Sequence, residues 1–398
     1  MEGSEMSGVD LPVLLNSTTF CVLPWVHLCA SVDGVWGRCC VDESMYYERY
    51  YRVRDKPPLI LREDSVGCSP HSVYSSANPE KTYNLLEALN SQAMKDTRLS
   101  MLNGDQVPAC EYCYERERGG GKSYRQIANE IFADMTGLDQ LIESTGLDGT
   151  VESFPCYLDI RFGNVCNLAC IMCNFPTSSR WGSMTGPIWS ETRIDPYSDD
   201  AELWSILKRH VVHIRRIYFA GGEPFLQSMH FKMLDLIIDG GCAGQIDLAY
   251  STNLTVLPKG IFDRLQKFKS VDIGASCDGL GATYEVIRSG AKWSVFVANL
   301  RQVKKYFKVR LAVTPQRHNI HQLGEIIEWG LAEDCEVDLS NILLSPKELC
   351  INHLETEEKV NLGSKYRSLS LAYYQNGFIK LAEELQGIVN FMTTDKIS

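Results

Sequence analysis

The sequence lacks a sustained apolar run of membrane-spanning length, its long charge-free stretches at 11–32 and 162–179 being broken by proline and polar residues, so no membrane-spanning helix is expected. Its first residues, MEGSEMSGVDLPVLLNS, lack the basic start and sustained apolar run of an export signal, and a cytoplasmic location is the expectation. Positive charge is also short: 39 Lys and Arg stand against 50 Asp and Glu, a net charge of -11 at pH 7. A protein that coats a nucleic-acid duplex needs a basic face, so no nucleic-acid partner is expected, and an acidic partner is disfavoured on the same ground. No internal repeat and no low-complexity tract interrupts the chain.

What the chain has in quantity is cysteine. Fifteen in 398 residues is many for a cytoplasmic protein, where thiols stay reduced and serve as metal ligands or small buried hydrophobes. Eight fall into two sets: Cys21, Cys39, Cys40, Cys110 and Cys113, then Cys166, Cys170 and Cys173. The other seven, Cys29, Cys68, Cys156, Cys242, Cys277, Cys335 and Cys350, are scattered. At 44% hydrophobic content the chain can bury one large core and a smaller second unit.

From about residue 155, short β-branched or aromatic runs alternate with amphipathic helix-length segments, the pattern of parallel β/α units. The strand candidates are YLDIRF (157–162), RIYFAG (216–221), IDLAYS (246–251), VDIGAS (271–276), VRLAVT (309–314) and VDLSNIL (337–343). Six units make a partial (β/α)6 barrel in an α/β fold. Upstream, a hairpin turn is expected at Asp33-Gly34, with helices over 83–102 and 123–143; past Ser345 the tail reads as further helix.

Cys166-Asn-Leu-Ala-Cys170-Ile-Met-Cys173 puts three thiols in eight residues, directly after the first barrel strand. Three soft ligands so close suit an iron–sulfur cluster or zinc; a closed structural zinc site wants a fourth protein ligand, whereas three leave a metal position open to substrate. Gly221-Gly222-Glu223-Pro224 follows the second strand, Ser251-Thr252-Asn253 ends the third and Ser276-Cys277-Asp278-Gly279 ends the fourth. All three therefore sit on the rim where β/α barrels build their sites. Glycines allow close backbone approach, and a carboxylate accepts from an ammonium.

The cysteine spacing and these motifs, in this order, resemble the radical S-adenosylmethionine superfamily. The resemblance implies a four-iron four-sulfur cluster on Cys166, Cys170 and Cys173, with S-adenosylmethionine chelating the open iron. It implies Met172 beside the adenine, Gly221, Gly222 and Glu223 at the methionine amino group, and Thr252 and Asn253 along the cofactor. It further implies Ser276 and Asp278 near the ribose or methionine part, and Arg288 on the cofactor carboxylate, for which a guanidinium fork is suited. Cys277 fills space.

In the first third, Cys21 opens a segment running through Gly34 to Cys39-Cys40, and Cys110-Glu-Tyr-Cys113 comes later. Four thiolates from a hairpin and a C-x2-C can close around one metal centre, and the ligand types alone leave a zinc knuckle open. The set resembles the auxiliary-cluster module called SPASM, or its shorter twitch form, with Cys21, Cys39, Cys110 and Cys113 as ligands and Cys40 as the alternative to Cys39. The resemblance implies a second four-iron four-sulfur cluster. The run YERERGGGKSYR (114–125) has no preceding strand and is read as a linker capped by Ser123, with Arg125 facing the pocket.

The domain expectation is an auxiliary iron–sulfur domain over 1–122, a linker helix over 123–154, the barrel over 155–345 and a helical extension over 346–398. By resemblance, the protein cleaves S-adenosylmethionine with an electron from a low-potential donor such as flavodoxin or ferredoxin, and the 5′-deoxyadenosyl radical takes a hydrogen atom from a substrate. A peptide or protein substrate ranks first, with crosslinking, oxidation or epimerisation as outcomes; a sugar or other small metabolite is the alternative. A non-catalytic zinc scaffold is the reading from another class. For an outcome that returns hydrogen, the thiol of Cys335 is a candidate donor.

Overall fold

The computed structural model describes residues 10–32, 34–41, 84–118, 121–174, 177–184, 193–343 and 346–393. Asp33 of the expected turn, Cys68 and two glycines of the GGG run lie outside the described residues.

Alternation of apolar and polar residues lets each strand bury one face against helices and turn the other inward. The strands are β1 (His27–Ala30), β2 (Trp36–Gly37), β3 (Tyr157–Ile160), β4 (Arg216–Phe219), β5 (Asp247–Thr252), β6 (Ser270–Ser276), β7 (Lys308–Ala312) and β8 (Glu336–Asp338). They form one sheet in the order β2-β1-β3-β4-β5-β6-β7-β8. From β3 to β8 all pairings are parallel. The crossover helices include Ala201–His210, Ser228–Asp239, Trp293–Val303 and Leu323–Ala332, and the arrangement is the expected six-stranded α/β partial barrel. Every barrel strand begins within one residue of its sequence run; β8 ends early. There the Leu339 amide donates to Glu384 Oε2 (2.8 Å) and the Ser340 amide to Asp338 Oδ1 (2.9 Å), so side chains take the donors a longer ladder would use.

On the outer face Phe162 stacks on Trp204, and Phe219 and Tyr250 pack on His230. The inner face carries Asp159, Arg161, Tyr218, Ser251, Asp272, Gly274, Ser276, Arg310 and Asp338, and this polar surface lines the barrel lumen.

The first third joins the same sheet. β1 and β2 form the expected hairpin, with Cys29 opposite Gly37 and Gly34 at φ +89°. β1 then lies parallel to β3, His27 opposite Tyr157 and Ala30 opposite Ile160. Behind the hairpin, fully buried Arg98 donates to the carbonyls of Pro24 (2.9 Å), Gly149 (2.9 Å) and Leu89 (2.7 Å) and to Asn90 Oδ1 (3.2 Å).

Two helical readings need correction. Residues 123–143 form two helices, Tyr124–Phe132 and Leu138–Glu143, because Gly137 at φ +79° interrupts them. Residues 83–102 divide into Leu85–Leu89 and Gln92–Leu102, capped by Asn84 and Ser91. The tail is a helical pair, Thr356–Gln375 and Ile379–Thr393. Among the described residues no helix is long and apolar enough to cross a membrane.

Candidate active site

β3 leads directly into the cysteine loop, which is tied to three neighbours. The amides of Ala169 and Ile171 donate to the carbonyls of Ser289 and Ile287 (both 2.9 Å), the Ser178 hydroxyl donates to the Leu168 carbonyl (2.6 Å), and Trp181 Nε1 to the Cys170 carbonyl (3.0 Å). Donors also meet the sulfurs: Asn253 Nδ2 stands 3.8 Å from Cys166 Sγ and Arg288 Nη1 3.8 Å from Cys170 Sγ. The Cys170 and Cys173 thiols hydrogen-bond each other, which pushes Cys170 up and Cys173 down; the Arg288 charge favours the anion at both. Burial pushes Cys166 up to about 11.

The GGE turn packs on the same loop, the Glu223 amide donating to the Val165 carbonyl (2.8 Å). The Glu223 carboxylate is 1% exposed and accepts from the Thr252 hydroxyl (2.7 Å), the Asn253 amide (2.8 Å) and the Phe225 amide (3.1 Å). Burial pushes its pKa up and these three donors oppose it. With about four lone-pair sites and three in use, it retains capacity for a further donor. Asn253 also binds Asn167 Oδ1 (3.0 Å), closing a bridge between β5 and the cysteine loop.

Arg288, expected on a cofactor carboxylate, is held here by Asp278: Nη2 lies 2.6 Å from Oδ2, with Asp278 fully buried and its Oδ1 accepting from the Thr314 amide (2.7 Å). Arg288 Nε and the Tyr284 hydroxyl remain buried without hydrogen-bond partners. A buried unpaired donor costs on the order of 1–3 kcal/mol. Two of them beside Cys170 fit an acidic group at this rim. Met172 is half-buried against the core, and Ser276 ends β6 on the lumen side. Cys277 is fully buried, its thiol directed at the Gly279 carbonyl, as a space-filling residue would be.

Among the described residues no three Cys, His, Asp or Glu side chains are grouped to hold one metal ion. Ligands of a four-iron cluster bind separate irons and stand further apart than ligands of a single ion. In the first-third set, Cys21 is buried within the electrostatic reach of Cys110 and Cys113. Cys113 accepts from the backbone amides of Tyr124 and Arg125. Cys39 is half-buried against the core, whereas Cys40 meets Tyr124 and Asp159 in the lumen.

Two expected residues stand elsewhere. Cys335 precedes β8 and so lies at the N-terminal rim, opposite the cysteine loop; its thiol is directed at the Glu333 carbonyl. Arg125 does not face a pocket: it is 3% exposed, paired with Glu117 (2.6 Å) and donating to the carbonyls of Ser17 and Phe20. Ser123 does cap the helix that follows, in a full capping box with Gln126.

Residues 160–330 match the sequence model of the Radical SAM superfamily. A radical SAM domain thus occupies residues 160–330 of the chain. No curated protein matches the sequence. Solved structures to which the chain is similar include anSMEcpe with bound AdoMet and Cp18Cys peptide (17% identity, 56% of this chain and 61% of that one, TM-score 0.43). Another is Streptococcus suis SuiB bound to S-adenosylmethionine (12% identity, 72% of this chain and 62% of that one, TM-score 0.42). The chain thus spans about three fifths of the length of each.

Proposed function

We propose that this protein binds S-adenosylmethionine at the rim formed by the cysteine loop, the GGE turn and the ends of β5 and β6, and uses it to abstract a hydrogen atom from a peptide lying over the lumen. The observation that carries the reading is the joining of Glu223, Thr252, Asn253 and Cys166 in one hydrogen-bonded unit, facing Arg288 and Cys170. Cys166, Cys170 and Cys173 would hold the cluster, which would supply the electron for opening the sulfonium carbon–sulfur bond. The protein's part is to orient the cofactor: Glu223 keeps acceptor capacity for an ammonium, and Arg288 Nε is a donor free for a carboxylate.

Cys21, Cys39, Cys110 and Cys113 are the ligand set of the proposed auxiliary cluster. The peptide assignment rests on the resemblance of this set to modules found mostly in peptide-modifying enzymes. A low-potential flavodoxin or ferredoxin is the proposed electron donor, and the cytoplasm the proposed location.

The test is anaerobic reconstitution followed by iron, sulfide and 5′-deoxyadenosine measurement, in the intact protein and in the variant with Cys166→Ala, Cys170→Ala and Cys173→Ala. The expected outcome is about eight irons per chain, falling to about four in the variant, with nucleoside formed only by the intact protein. Zinc in place of iron, or nucleoside release untouched by the triple change, would overturn the reading.

A further inference from the structure

We propose that the ion pair of Asp278 and Arg288 sets the reduction potential of the cluster that the cysteine loop would hold, with Asp278 as the positioning residue that fixes the guanidinium charge beside Cys170. The inference rests on the radical reading above and deepens it.

Arg288 is placed from both ends. Its chain neighbours pair with the cysteine loop, the Ala169 amide donating to the Ser289 carbonyl and the Ile171 amide to the Ile287 carbonyl (both 2.9 Å). Cys170 and Arg288 lie between these two bonds and so stand opposite each other. The three edges of the guanidinium have three different surroundings. Nη2 lies 2.6 Å from Asp278 Oδ2, Nη1 lies 3.8 Å from Cys170 Sγ, and Nε is buried without a hydrogen-bond partner.

Asp278 is held so that it cannot turn away. It is fully buried, its Oδ1 accepts from the Thr314 amide (2.7 Å) and its carbonyl accepts from Asn319 Nδ2 (3.1 Å). Asn319 is fully buried as well; its Nδ2 also donates to the Thr314 carbonyl (3.0 Å), and its Oδ1 accepts from the Gln316 amide (2.8 Å). The segment after β7 therefore fixes the carboxylate, and the carboxylate fixes the guanidinium.

An iron–sulfur cluster becomes one charge more negative when it takes up an electron. A cation nearby favours that state, an anion opposes it, and hydrogen-bond donors at the sulfurs act in the same sense as the cation. The two loop sulfurs differ in what they meet. Cys166 Sγ has the Leu168 amide at 3.5 Å and the neutral Asn253 Nδ2 at 3.8 Å, whereas Cys170 Sγ has a full positive charge. Arg288 alone would hold the potential high. Asp278 offsets part of that charge, which keeps the reduced cluster a strong enough reductant to open a sulfonium bond. The single electron comes from the flavodoxin or ferredoxin, which is oxidised in the exchange. This arrangement has a signature that a packing role lacks: removing the two halves of the pair shifts the potential in opposite directions.

The experiment is a redox titration of the reconstituted full chain without S-adenosylmethionine, followed by electron paramagnetic resonance. The signal that disappears in the variant with Cys166→Ala, Cys170→Ala and Cys173→Ala identifies the cluster. Asp278→Asn leaves the guanidinium uncompensated, and at a fixed potential its reduced-to-oxidised ratio is expected to rise about tenfold, a shift of about 59 mV for one electron. Arg288→Gln leaves the carboxylate alone and is expected to shift the potential down by a similar factor. Asp278→Glu restores the charge and stays near the intact value, and the double variant Asp278→Asn with Arg288→Gln falls between the two singles. Where a single variant fails to hold its irons, the double variant decides, because it buries no lone charge. Shifts of one sign in both singles, unchanged potentials, a double variant displaced as far as a single one, or the loss of about four irons from every variant of the pair would overturn the proposal. A triple cysteine variant that loses no signal would instead overturn the radical reading, and this inference with it.

Discussion

Gly222 has φ +52°, and a Cβ there would lie 2.5 Å from the Val165 carbonyl oxygen and 2.8 Å from Gln227 Nε2. The first neighbour is the backbone of the cysteine loop and cannot rotate away. Gly222→Ala is thus expected to cost about 2 kcal/mol or more, from left-handed strain plus the displaced loop. Reconstituted iron should fall toward about four per chain, measured with the melting temperature. The motif letters GGE foretold close approach; they did not foretell that Glu223 is held by Thr252 and Asn253. That needed the β4–β5 pairing, which no residue spacing states. Arg288 shows the same limit, since its partner Asp278 lies ten residues away across a turn.

Among elements, the barrel strands were the most legible because each combines a β-branched run with a following polar turn. The helices of the first third were the least. Asn84, Ser91 and Gly137 are cap and break signals within otherwise helical text, and a reading by periodicity passes over them. Arg98 was also missed, although it joins the segments around Pro24, Leu89 and Gly149. An arginine inside a helix sequence reads as a solvated residue; here burial lowers its pKa to about 10 while it remains charged. Arg98→Met leaves several buried carbonyls without a donor and is expected to cost at least ~3 kcal/mol in urea unfolding. An unchanged midpoint would show that the three segments hold together without it.

At the scale of the molecule, inward positions of the sheet alternate with apolar ones, as in Asp159 and Arg161 or Asp272 and Gly274. Parallel strands buried on both faces read as continuous apolar runs, so this alternation was a sequence signal for a lumen that went unread. The open side at β8 is met by the C-terminal helix, where Glu384 accepts from the Leu339 amide (2.8 Å). Burial, followed by the neighbouring Asp338, raises Glu384 from 4.5 to about 7. Because the folded state holds this proton more tightly than the unfolded chain, its stabilising term is full below about pH 4.5 and lost as pH rises through about 7. The loss is at most about 3 kcal/mol. Glu384→Gln keeps a carbonyl acceptor, and is expected to raise the melting temperature at pH 8 more than at pH 5; an equal shift at both would exclude the titration. At the other side, β1 completes the flank of β3 from about 130 residues upstream. During synthesis the hairpin therefore emerges long before its partner strand and must wait unpaired. A ribosome-bound chain stopped before residue 157 holds only half of that ladder, and the cysteine loop at the end of β3 is assembled late, after both halves have met.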